Sequence, residues 1–101
     1  MVQWQKDRWV GNQWASIAIT PESERYFFLI LEHLSHRYGF PMPRIIDLID
    51  GYAAEFLIDG THAILDIDAY TFSIAFVGDN VRDRVFADLQ TLPDDYFETT
   101  Q

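Results

Sequence analysis

The stretch DGTHAILDID, from Asp59 to Asp68, sets His62, Asp66 and Asp68 close together in the chain. These are residue types that ligate metals. Their spacing opposes a shared ion. In an extended strand, four positions span about 13 Å at roughly 3.3 Å per residue, whereas a ligand atom sits about 2 Å from its metal. His62 and Asp66 therefore cannot meet on one ion. Asp66 and Asp68 would lie about 7 Å apart on one strand face, where paired carboxylates commonly serve as a solvated edge. Glu32, His33 and His36 have helical spacing and share a side, but no ligand from another element is evident, and polar helix surface is the expectation. No Ser-His-Asp arrangement, phosphate-cradling glycine loop or pair of carboxylates on a helix can be assembled. The chain has no cysteine, which removes thiolate chemistry, zinc knuckles and disulfides. The expectation is a protein that is not an enzyme and carries no metal or cofactor.

A second group of candidates is aromatic. WVGNQW, from Trp9 to Trp14, flanks Gly11-Asn12 with indoles, and Trp4 lies just upstream. Gly-Asn is a two-residue hairpin signal. Placed at the tip, it pairs Val10 with Gln13, Trp9 with Trp14, Arg8 with Ala15, Lys6 with Ile17 and Trp4 with Ile19, and all three tryptophans are expected on one face. Cross-strand aromatic pairs contribute about 0.2 to 1 kcal/mol each relative to alanine pairs, so these indoles are expected to pin the chain rather than hold a ligand.

The elements that position these groups follow from patterning. A helix is expected from Pro21 to Tyr38, capped by Thr20 and stopped by Gly39, with Phe27, Ile30, Leu31, Leu34 and Tyr38 as its core stripe. Phe28 and Leu29 fall outside that stripe. Pro43 to Asp50 carries Ile45, Ile46, Leu48 and Ile49 at a spacing that suggests a short helix ended by Gly51. Asp59-Gly60 then predicts a hairpin pairing Ile58 with Thr61 through Ala54 with Leu65, which sends Tyr52, Ala54, Phe56, Ile58, Ala63, Leu65 and Ile67 to one face. TFSIAFV supplies another strand. Asn80 is expected to cap a last helix with Val81, Val85 and Leu89 as its stripe, and Pro93 to begin a polar tail. Together these make an α+β fold: an antiparallel sheet of about five strands with two main helices packed on one face, in one domain over residues 1–101.

Charge narrows the function. The net charge is -9, from 16 acidic and 7 basic residues. Residues 1–50 balance to -1 and residues 51–101 to -8. Such a field opposes binding to nucleic acid and to anionic membranes, and attracts a basic protein. Asp83, Asp88, Asp94, Asp95 and Glu98, with Tyr96 and Phe97 among them, combine negative charge with aromatic anchors of the kind found at binding faces. The expectation is a small cytoplasmic protein-binding domain, an inhibitor or immunity-type protein that neutralises a basic partner such as a nuclease toxin. Its cytoplasmic placement follows from the start MVQWQKDRW, which lacks the apolar core of a signal peptide, and from the brevity of the run YFFLIL. The alternatives are a homodimer or assembly subunit, for which Phe28 and Leu29 are the contact candidates, and a small enzyme or metal-binding protein.

Overall fold

Period-two alternation sorts each strand of this chain into an apolar side and a mixed side, and the fold follows from covering the first. The computed structural model describes residues 2–98. Its elements are β1 (Gln3–Arg8), β2 (Ala15–Thr20), α1 (Glu24–Tyr38), β3 (Ile46–Leu48), β4 (Gly51–Ile58), β5 (Thr61–Ile67), β6 (Phe72–Phe76), α2 (Asp79–Leu89) and α3 (Asp95–Glu98). The six strands form one antiparallel sheet in the order β1-β2-β6-β5-β4-β3. The fold is α+β, with six strands rather than five.

On one face Ile17, Ile19, Ala54, Phe56, Ile58, Leu65, Ile67, Phe72, Ile74 and Phe76 are buried with Phe27, Ile30, Leu31 and Leu34 of α1 and Val85 and Leu89 of α2. Helix α1 packs under β5, and α2 under β1, β2 and β6. The helix starts differ from the sequence reading by a few residues. Ser23, not Thr20, caps α1 by accepting from the Tyr26 N–H, and Gly39 stops it with φ 73°. Gly78 precedes α2, where Asn80 makes no cap. Thr20-Pro21 is a cis peptide.

The β4-β5 hairpin has the expected register throughout, from Ile58↔Thr61 to Ala54↔Leu65. Asp59 and Gly60, at φ 51° and 76°, make its two-residue turn, as a type I′ turn requires. The first hairpin keeps its strand register but not its turn. Gln13 donates to the Trp9 carbonyl and stands at φ 63°, so residues 10–13 form the loop, tied by Asn12 Oδ1 accepting from the Trp14 N–H. Trp9 and Trp14 do face each other, stacked at 6.2 Å and 6°. Trp4 lies on the other side of the sheet, against Phe97 at 5.9 Å. Five positions separate Trp4 from Trp9, and an odd step reverses the face.

Residues 43–50 are corrected outright. Ile46–Leu48 is a three-residue edge strand paired with Gly51–Ala53, not a helix. A strand of three residues is too short for a period of 2 to be told from one of 3.6. Gly51 opens β4 instead of ending a helix. A Cβ there would lie 1.8 Å from the Ile67 carbonyl oxygen, so the position requires glycine.

The chain past Pro93 is no polar tail over its described part. In α3, Phe97 is 4% exposed and packs on Trp4 and Tyr26, while the Tyr96 hydroxyl donates to the Leu29 carbonyl at 2.8 Å. Phe97→Ala should therefore lower stability by about 3 to 5 kcal/mol. Trp9→Ala, which removes a half-buried ring and its stack, should cost about 2 kcal/mol. Chemical denaturation of each variant measures both.

Candidate functional site

Among the described residues no helix covers the mixed side of the sheet. Across its middle run Ala18, Ser73 and Asp66, neighbours on β2, β6 and β5 by strand register. Beside them run Ser16, Ala75 and Ile64. Trp9 reaches over this surface from the β1 end, its Nε1 donating to Ser73 Oγ at 3.1 Å, and Trp14 meets the His62 ring at 5.7 Å. The two indoles roof the small residues, which explains why Ser16 and Ala75 are buried on a face without helices. The tryptophans are thus pins, and they also make a wall.

That wall bounds a cavity of about 560 Å³, lined by Trp9, Ser16, Ala18, Asp66, Thr71 and Ser73 among others. Asp66 is its distinctive group. Its Oδ1 is buried and has no hydrogen-bond partner, an arrangement that native structures rarely leave unanswered. Burial pushes the Asp66 carboxyl above the ordinary aspartate range, and the charges of Asp68 and Asp50 push it the same way. Asp68 behaves oppositely. It lies in the turn after β5, where the Tyr70 and Thr71 N–H groups donate to its Oδ1 at 2.7 and 2.8 Å and hold its carboxyl below the usual range. The two carboxylates expected to form one solvated pair are therefore a turn lock and a half-buried acid. A smaller adjoining cavity is lined by Glu22, Glu24, Asp50 and Asp68, with no lysine or arginine on its wall.

The residues expected to meet a partner fall into two groups. Asp83 pairs with Arg82 at 2.7 Å and Lys6 at 3.3 Å, and the Arg82 guanidinium holds its carboxyl below the usual range. Asp88 is 13% exposed and engaged with His33 at 2.9 Å and Arg37 at 3.4 Å. Tyr96 and Phe97 are turned inward. These four are committed within the molecule, while Asp94, Asp95 and Glu98 are exposed. Of the self-association pair, Phe28 is 41% exposed beside Tyr52, and Leu29 is half-buried under Tyr96. His33 turns to Asp88 and His62 to Glu55. Among the described residues no three His, Asp, Glu or Cys side chains are grouped to hold a metal ion, and no helix is long and apolar enough to cross a membrane.

Sequence reasoning passed over Ser16, Ser73 and Trp9 as parts of one surface. The signal available was Asp66 on the outward side of a strand whose flanking strands place only small residues next to it. Comparison with protein-family models, with curated proteins and with solved structures finds no match.

The opposed shifts give opposed pH dependences. A folded pKa raised above the unfolded value means that the folded state binds the Asp66 proton more tightly, so its contribution is present at low pH and lost as pH rises through the folded value. Ionised Asp66 is then a cost to stability at neutral pH. Asp66→Asn should raise the melting midpoint by a few degrees near neutral pH, with the gain vanishing by about pH 3, below the carboxylate range. Asp68→Asn should lower it at neutral pH, since a depressed carboxylate stabilises above its unfolded pKa and loses that effect as pH falls. Calorimetric scans over pH check both signs; a neutral-pH loss for Asp66→Asn would make Asp66 a structural group.

Proposed function

We propose that this chain is a protein-binding domain, an inhibitor or immunity-type partner of a basic protein such as a nuclease, and that the helix-free face of its sheet is the binding surface. One observation carries the reading. That face sets Leu57 and Val77, both more than half exposed, near the Glu55 carboxylate, with Asp66 four positions further along β5 from His62, and its one cation at the cavity, Arg8, is paired with Asp79. Val77 and Leu57 flank His62 from either side, through the Val77 N–H to the His62 carbonyl and the Leu57↔His62 pair. Apolar anchors joined to one sign of charge suit a docking face.

The cations support the same side. Lys6, Arg8, Arg37, Arg82 and Arg84 pair with Asp83, Asp79, Asp88, Asp83 and Asp59 respectively. All of the α2 carboxylates are thereby matched, and the surplus negative charge lies elsewhere, much of it around Asp66. A basic partner would be steered to this surface, and its association rate would fall as salt shortens the Debye length from about 10 Å at 0.1 M to about 3 Å at 1 M.

A second reading rests on the β3 edge. Ile46, Leu48 and Ile49 are exposed along it, and Phe28 and Tyr52 lie next to it on the helix side. An unpaired apolar edge favours strand addition by a second copy. Ile49→Lys should turn any dimer seen by sedimentation into monomer without changing the melting midpoint, whereas a wild-type monomer at about 50 μM, within the range where weak interfaces form, removes this reading.

For the main reading, partners captured on the tagged protein should include a basic protein whose association slows at least tenfold with Glu55→Lys and Leu57→Asp together. Reversing Asp94 and Glu98 should have little effect on the same rate. Stopped-flow binding decides between the two surfaces: a rate that responds to Asp94 and Glu98 alone returns the site to the last helix.

A further inference from the structure

We propose that the cavity beside Asp66 seats one arginine side chain of the partner; this rests on the reading of a basic partner above. A buried carboxylate oxygen without a donor costs free energy that an incoming N–H recovers. Among the described residues no group supplies one to Asp66 Oδ1. Arg8, the basic residue on the cavity wall, directs its guanidinium to the Gln13 carbonyl and to Asp79, each at 2.8 Å.

The shape and chemistry favour a guanidinium over other donors. At about 560 Å³ the cavity falls within the roughly 300 to 1,000 Å³ of pockets that hold small organic groups, with room for a long side chain. The carboxylates of Asp7, Glu22 and Asp66 line the cavity, and the charges of Asp50 and Asp68 act on Asp66 from nearby, which disfavours anions. An ammonium would satisfy the charge, but a guanidinium is planar and carries several N–H donors, and it takes both carboxylate oxygens once the Asp66 side chain turns its sealed Oδ1 toward the cavity. It also stacks on aromatic faces. The Trp9 indole, tied to Ser73 and backed by Trp14, is held on the wall where such stacking is possible. Ser73, next to Asp66 in register, adds a hydroxyl on the cavity floor.

The neighbouring features fit a built recess rather than an accident of packing. Ser16 and Ala18 are small on the cavity wall, where larger residues would fill the space, and Trp9 beside them lies outside the strands. Asp66 is a half-buried acid whose carboxyl is pushed up by burial, and no described group of the chain pairs with its Oδ1.

The test titrates a blocked pentapeptide with one central arginine between glycines into the full chain, followed by the Trp9 indole resonance and by tryptophan fluorescence. A matched peptide carrying citrulline keeps the shape and removes the charge. The arginine peptide should shift the Trp9 signal and bind at least tenfold more tightly than the citrulline peptide. Asp66→Asn should weaken that binding at least tenfold while melting higher than the wild type, which separates loss of binding from loss of fold. Equal binding of the two peptides, or binding indifferent to Asp66→Asn, overturns the proposal. A basic partner whose capture survives Asp66→Asn but is lost with Glu55→Lys and Leu57→Asp also overturns it, and leaves the docking face standing. Asp66-dependent peptide binding with no basic protein recovered supports the cavity and removes the proposed partner instead.

Discussion

A sheet of six strands has two faces, and the two long helices of this chain cover one. Strand alternation concentrates isoleucine, leucine and phenylalanine on the covered side, where α1 and α2 bury them, and each fully buried side chain of that size contributes about 1.5 to 3 kcal/mol. The other side must be reconciled with water by other means. Trp9 and Trp14 stack on that side, where Ser16 and Ala75 are buried without a helix. The remainder stays open. Both the cavity at Asp66 and the exposed Leu57 and Val77 are products of this unequal cover.

Charge is distributed by the same division. Arg82 is 8% exposed, donates to the Asp7 and Ser16 carbonyls, and pairs with Asp83. A buried guanidinium adds little net stability over apolar packing. Its five N–H groups do fix where α2 lies against the β1-β2 hairpin. Arg8, Lys6 and Arg84 extend the pattern around α2, so a helix that reads as acidic in composition is electrically compensated in place. A charge count over a stretch of sequence carries no information about which acids already have partners.

That distinction accounts for what was legible before the structure. Patterns of period two and the Asp-Gly turn specified the β4-β5 hairpin residue by residue, because turn and alternation agree there. The core stripes of α1 and α2 were equally plain. The β3 strand was not, since three residues fit two periods. Nor was the burial of Phe97, which depends on Trp4 from the far end of the chain. Asp66 was visible as an outward strand carboxylate next to Ser73 across β5 and β6, but Trp9 reaches Ser73 only because β2 pairs with β6.

That pairing joins two pieces of sheet made separately: the β1-β2 hairpin and the β3-β4-β5-β6 meander. Within each piece the pairings are between neighbours in sequence, whereas Ile17 must find Ile74, a contact whose loop-closure entropy makes it the slow kind to form. The cavity straddles this seam. Trp9, Ser16 and Ala18 stand on one bank, and Asp66, Thr71 and Ser73 on the other. Anything that binds there holds the banks together, and by mass action its occupancy and the closure of the seam are a single equilibrium. Hydrogen exchange of the β2 and β6 amides would read the ligand from inside the sheet.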